Sequence, residues 1–203
     1  MAPPNQADDL DSTATNNRDV DEVDTRRNSH ADDRAGNIIL TGFMGTGKST
    51  VGRLLARQLR LEFVDTDAEI ESRHGPIPAI FADHGERRFR EIERRLAAEL
   101  GQRSGLVIAT GGAMMLDPAN IASLGGKGRI FCLVAAPEEI LARVHADQSP
   151  IERPLLAVDD PRTRIEELLA ERSAGYLQFS QIPTSKRSPD EVADAILATL
   201  TDW

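Results

Sequence analysis

The chain has 203 residues, 33 of them Asp or Glu against 24 Lys or Arg, for a net charge of −9. That length makes one ordinary domain plus some tail, and that charge argues against a general nucleic-acid binder, so basic residues that matter should be gathered locally in a site. The single cysteine, Cys132, lies in the apolar run 130–134 and reads as core; one cysteine allows no internal disulfide, which suits a reducing cytoplasm, no apolar run approaches membrane-spanning length, and the polar, acidic N-terminus reads as neither secretory signal nor transit peptide.

Residues 1–36 are rich in Asp and hold no aromatic residue. Such a segment cannot bury enough apolar surface to offset its ordering entropy, so a disordered, solvating tail is expected, with partner binding as the alternative. Residues 37–41, Asn-Ile-Ile-Leu-Thr, read as a buried parallel strand. Gly42-Phe43-Met44-Gly45-Thr46-Gly47-Lys48-Ser49 then fits the phosphate-loop pattern G-x-x-x-x-G-K-[ST] at every fixed position. Val51, Leu54, Leu55 and Leu59 follow at helical spacing. Strand, Gly-rich turn and helix is the context the motif needs. Backbone N–H groups and the helix N-terminus there converge on phosphate oxygens. Gly45, Thr46, Gly47, Lys48, Ser49 and Thr50 are the expected nucleotide contacts. Lys48 would neutralise the outer phosphates, and Ser49 would ligate the Mg²⁺ that travels with ATP.

A second strand, 61–64, ends in Asp65-Thr66-Asp67. Carboxylates at the C-terminal end of a strand sit where open α/β sheets bind ligands. Asp65 is a candidate for Mg²⁺ through water and Asp67 for a substrate hydroxyl; N-capping of the next helix by Asp67 is the other reading, and the two are compatible. After the Gly75-Pro76 break come a short helical piece, 77–84, and a helix over about 85–100 with Phe89, Ile92, Leu96 and Leu100 as its apolar stripe. His74 and His84, near helix ends, read as caps or surface residues. Arg90 and Glu93, three apart, can form an arginine fork for a planar carboxylate, although a solvated face explains them from spacing alone. Residues 106–109 are a third strand ending in Thr110-Gly111-Gly112, where glycines permit close approach of backbone to a ligand or simply make a turn. Asp117-Pro118 starts a short helix to Leu124. Strand 129–134 and a helix from Pro137 follow.

Residues 146–160 lack helical period and contain Arg153-Pro154-Leu155-Leu156, the pattern of a candidate lid whose arginine closes onto a phosphoryl group. Helix 162–173 carries Arg172 near its end, four residues before Tyr176, where interaction with the helix C-terminus is an alternative role. A last strand at 182–184 and a final helix capped by Ser188 complete the chain.

Phosphate loop, Asp-Thr-Asp, Phe-Arg-x-x-Glu, Thr-Gly-Gly, Arg-Pro-Leu-Leu and Glu-Arg-x-x-x-Tyr together resemble the shikimate kinase family, over about residues 37–200. The resemblance implies an α/β, three-layer P-loop NTPase fold: a five-stranded parallel sheet flanked by helices, with a substrate-binding region at about 67–100 and a lid at about 146–160, in a domain spanning 37–203. It implies transfer of the ATP γ-phosphate to the 3-hydroxyl of shikimate, with ATP and shikimate as partners, Mg²⁺ as cofactor, and a cytoplasmic monomer that binds neither nucleic acid nor membrane. Asp67 matches the aspartate that holds the hydroxyl, and Lys48, Asp67 and Arg153 the catalytic set. Arg153 matches the lid arginine on ATP. Arg90 and Arg172 match the substrate-carboxylate clamp, Glu93 the acid that orients the first, and Gly111 and Gly112 the glycines facing the substrate. Ser49 and Asp65 match the metal-side residues. Two departures stand out. Ala113 replaces the family's third glycine, where a positive φ would be strained. The lid is about three residues longer before Arg153, which leaves Arg143 as a candidate for the second lid arginine. A kinase for another hydroxy acid and a nucleotide-binding regulator are the competing readings.

Overall fold

The computed structural model describes residues 36–146 and 159–200. The expected tail (save Gly36), most of the expected lid with Arg153, and Trp203 lie outside the described residues. Five strands, β1 (Asn37–Thr41), β2 (Glu62–Asp65), β3 (Leu106–Ala109), β4 (Gly128–Val134) and β5 (Ser180–Pro183), form one parallel sheet in the order β2-β3-β1-β4-β5. Parallel strands need crossover helices, and the apolar runs of β1 and β3 are buried throughout because helices cover both faces. The pleat splits the β1 side chains between two cores. Ile38 and Leu40 pack with Val51, Leu55, Val192 and Ile196, from α1 (Lys48–Leu59) and α7 (Pro189–Ala198). Ile39 packs on the other side with Ile70 of α2 (Thr66–His74) and with Phe89, Ile92, Leu96 and Leu100 of α3 (Ile77–Leu100). A third cluster joins Phe43 and Cys132 to Ile140 of α5 (Pro137–Ala146) and to Ile165, Leu168 and Tyr176 of α6 (Pro161–Leu177). A 3₁₀ turn (Met114–Leu116) and α4 (Pro118–Gly125), capped by the Asp117 side chain, link β3 to β4.

Several element limits differ from the sequence expectation, each for a local reason. One expected break does hold: the stretch 77–84 and the helix after it part at Gly85, whose φ 74°, ψ 172° is a conformation that L side chains rarely adopt, within the span labelled α3. Asp65 belongs to β2 and pairs with Ala109. Its side chain, not that of Asp67, caps α2 by accepting from the Asp67 and Ala68 amides at 3.2 and 3.4 Å. Asp67 therefore stands inside the helix with its carboxylate free of capping duty. α6 continues to Leu177, so Arg172 is not in its last turn, and the C-terminal dipole does not account for it. Ala113 has φ −108°, ψ −4°, which any residue adopts, so the strain expected at that position does not arise.

The sheet order makes β1 a switch point: the chain leaves it for β2 on one side, and leaves β3 for β4 on the other. The phosphate loop and Thr110-Gly111-Gly112 follow β1 and β3, and Asp65-Thr66-Asp67 spans the end of β2 and the start of α2. All three open at the carboxyl ends of neighbouring strands, beside the crevice where doubly wound sheets take ligands.

Candidate functional site

The phosphate loop is held by its own side chains. Phe43 is buried under the loop, with the Arg172 guanidinium 5.5 Å from its ring centroid. The buried Thr46 hydroxyl donates to the Phe43 carbonyl at 2.7 Å. Gly42, Gly45 and Gly47 all have positive φ, and a Cβ on Gly42 would run into the Leu133 carbonyl, so glycine is required at that crossing of loop and β4. Gly47 is the N-cap of α1, which points its first amides into the loop. The Lys48 ammonium donates to the Gly42 and Phe43 carbonyls, both at 2.9 Å. Burial lowers its pKa, and the charges of Asp67 and Asp65 act in the opposite sense. Thr50, the next residue but one in α1, is exposed.

The Ser49 hydroxyl donates to Asp65 Oδ2 at 2.6 Å, so two hard oxygen donors meet at the loop end of β2. That donor set fits Mg²⁺, which prefers few protein oxygens and keeps the rest of its shell as water and phosphate. Among the described residues no group of three or more His, Cys, Asp or Glu could hold a metal on its own. Cys132 is wholly buried in the core, and burial pushes its thiol up to about 11.

The other half of the site is organised by the Gly111-Gly112 backbone. The Gly111 amide donates to the buried Thr66 hydroxyl at 2.9 Å, tying the β3 loop to the start of α2. A Cβ on Gly111 would stand 2.5 Å from Asp67 Oδ1 and 3.5 Å from Glu93 Oε1. A Cβ on Gly112 would stand 3.7 Å from Arg172 Nη1 and 3.8 Å from the Met44 amide. Two glycines thus bring Asp67, Glu93, Arg172 and the phosphate loop around one short stretch of chain. The Tyr176 hydroxyl, one turn of α6 beyond Arg172, donates to the Gly112 carbonyl at 2.5 Å. Burial raises its pKa, and the Arg172 charge pulls the other way.

Arg90 donates to Glu93 at 2.7 Å, and Glu93 is 2% exposed in its side chain. Burial pushes Glu93 up, which Arg90 opposes. A buried charged pair with a half-buried arginine is not the solvated face that spacing alone allowed. Burial and the neighbouring Asp65 raise Asp67 to about 6. Its proton affinity then lies close to neutral pH, the range suited to a general base.

Arg143 faces the loop from α5. It donates to the Gly45 carbonyl at 3.3 Å and to the Thr184 hydroxyl and carbonyl at 2.9 and 2.8 Å, with Glu139 bracing it at 2.9 Å. It connects the phosphate loop to the segment between β5 and α7. Thr66 and Tyr176 were given no role from the sequence. Thr66 had a signal in its place between two acids, and Tyr176 in its helical spacing from Arg172; neither specifies a hydrogen-bond partner across 45 or 64 residues.

The model of the family described as "Shikimate kinase" matches residues 44–201. A shikimate kinase of Caldanaerobacter subterraneus subsp. tengcongensis is 43% identical over 164 residues, covering 79% of this chain and 94% of that protein. One from Pseudomonas savastanoi pv. phaseolicola is 45% identical over 169 residues, covering 82% and 96%. Among solved structures, shikimate kinase from Acinetobacter baumannii in complex with shikimate superposes with a TM-score of 0.76 at 37% identity, covering 83% of this chain and 94% of that one. On these matches, and on a parallel five-stranded sheet with a phosphate loop at its switch point, the chain belongs to the shikimate kinase family.

Proposed function

We propose that the chain transfers the γ-phosphate of ATP to the 3-hydroxyl of shikimate, giving shikimate 3-phosphate and ADP on the route to aromatic amino acids. The observation that carries this is the convergence on Gly111-Gly112 of an aspartate with raised pKa and of two arginine-bearing elements beside a phosphate loop. Shikimate is a small acid with a hydroxyl to be phosphorylated. Arg90, braced by Glu93, and Arg172, above Phe43, take its carboxylate; Gly111 and Gly112 let the ring approach the backbone. Asp67 accepts the hydroxyl proton as the oxygen attacks phosphorus. Gly45, Thr46, Gly47, Lys48, Ser49 and Thr50 hold the nucleotide, and Arg153, outside the described residues, completes the charge around the transferred group. Ser49 and Asp65 would hold Mg²⁺, which would supply charge neutralisation at the phosphates. Phosphoryl transfer is mainly positioning and charge stabilisation, and these groups supply both.

The working unit is the domain 37–203 as a cytoplasmic monomer, without nucleic-acid or membrane partners. No helix among the described residues is long and apolar enough to cross a membrane. The test is ADP release from Mg-ATP with and without shikimate, beside a panel of other hydroxy acids. Shikimate-dependent release supports the reading; release with another acid alone rejects the substrate, and no release with any acid rejects the reaction.

Arg172→Ala removes a charge-assisted contact to the carboxylate. The KM for shikimate is expected to rise about ten- to a hundredfold, with the KM for ATP little changed. Steady-state kinetics with each substrate varied in turn checks this. An unchanged KM for shikimate places the carboxylate elsewhere.

A further inference from the structure

Arg90 is engaged by two acids of very different character. Nη1 donates to the buried Glu93, while Nε and Nη2 both donate to Glu86 Oε1, at 3.2 and 2.9 Å. All three guanidinium nitrogens are therefore already bonded to carboxylates. A planar acid that binds an arginine through two parallel hydrogen bonds needs one paired edge of the guanidinium, and Glu86 holds the Nε–Nη2 edge. The Glu86 side chain is 66% exposed against 2% for Glu93. Glu93 cannot leave without stranding a buried charge, whereas Glu86 returns to water at small cost. Glu86 directly follows Gly85, the break in α3, in the first turn of the helical run that carries Arg90 and Glu93.

We infer that Glu86 is a displaceable counter-ion, occupying the edge of Arg90 that the substrate carboxylate takes over, so that it sets the affinity for acid substrates. This rests on the reading that Arg90 binds that carboxylate. Glu86 then acts opposite to Glu93: Glu93 positions the arginine, and Glu86 competes for it. The competition would keep Arg90 neutralised between turnovers, and would favour ligands whose carboxylate can also reach Arg172, because a second contact offsets the displacement.

The test compares wild type, Glu86→Gln and Glu86→Ala with Mg-ATP and either shikimate or its methyl ester. Removing an exposed ion pair that competes with substrate should lower the KM for shikimate about two- to fivefold in both variants. The kcat should stay within about twofold, and the melting temperature within about 2 °C, as for other surface changes. The KM for the ester, which presents no carboxylate, should not follow the drop. A KM for shikimate that rises in both variants makes Glu86 a second brace for Arg90 and overturns the inference, as does a KM that does not move. An equal drop for acid and ester also overturns it, since the effect would not pass through the carboxylate. Failure of the carboxylate reading itself shows separately, as a wild-type enzyme that does not prefer the acid to the ester.

Discussion

Asp67→Asn is expected to lower kcat by about 10²–10⁴-fold, the usual contribution of a positioned general base, while nucleotide affinity stays near wild type. The substitution is nearly isosteric, and Asp65, not Asp67, caps α2, so the helix start does not depend on this carboxylate. The same variant is expected to be more stable at neutral pH. Asp67 titrates at about 6 in the fold against an ordinary 3.8, chiefly because burial and then Asp65 disfavour its charge. The folded state thus holds the proton more tightly than the unfolded chain, and stability falls as pH rises from about 4 through about 6. At pH 7 the ionised form costs at most about 3 kcal/mol, less after solvent screening of a partly exposed group. Asparagine does not titrate, so the melting temperature of the variant should exceed wild type by on the order of 5 °C at pH 7. The gap should close below about pH 4, where Asp67 is protonated in both states. In wild type, kcat/KM for shikimate should fall about tenfold per pH unit below about 6 and level off above it. Retained wild-type kcat in Asp67→Asn, or a pH profile flat through 6, removes the aspartate from proton transfer.

Much of this was legible in the chain because strong local rules and tertiary needs agree. The phosphate loop requires a strand before it and a helix after it, and the apolar periods on either side supply both. Pro137 and Ser188, at or just before helix starts, and Asp117-Pro118 name the same boundaries in sequence and structure. Where sequence and structure part, a contact distant in sequence decides. The N-cap of α2 passes from Asp67 to Asp65 because β2 runs one residue further to pair with Ala109. α6 runs on past residue 173 because Tyr176 is buried and reaches the Gly112 carbonyl, 64 residues away.

The site was less legible than the fold. Arg90 and Glu93 look like one more solvated pair among the many charges of α3, and only the burial of Glu93 beside Gly111 marks them out. Glu86, one turn before Arg90, has only the i,i+4 spacing of an ordinary surface ion pair. Its importance comes from which edge of Arg90 it occupies, and spacing does not encode that. Ala113 shows the opposite error: a departure from a family pattern suggested strain, yet the backbone there has negative φ and accepts alanine without distortion.

Gly111 and Gly112 look equivalent as residue types, and their replacement by alanine is expected to separate them. Neither has a positive φ, so alanine is conformationally acceptable at both and should change stability by no more than about 1 kcal/mol through backbone terms. The difference lies in what the added methyl meets. At Gly112 the nearest protein atoms are at 3.7 Å, ordinary van der Waals contact, so Asp67 keeps its place and kcat should stay within about threefold, while the methyl intrudes where the ring approaches the backbone and should raise the KM for shikimate. At Gly111 the methyl would stand 2.5 Å from Asp67 Oδ1, so one of them must move. The Gly111 backbone is fixed by its hydrogen bond to Thr66, whereas the carboxylate is the end of a short side chain that can rotate. The carboxylate therefore moves, and displacement of a reacting group by about 1 Å costs on the order of 10²-fold in kcat. Gly111→Ala should thus fold with a melting temperature near wild type, bind nucleotide normally and turn over poorly. Steady-state kinetics beside thermal melts of the two variants checks this. Equal kcat in Gly111→Ala and Gly112→Ala would mean that Asp67 does not work from the position it holds against Gly111.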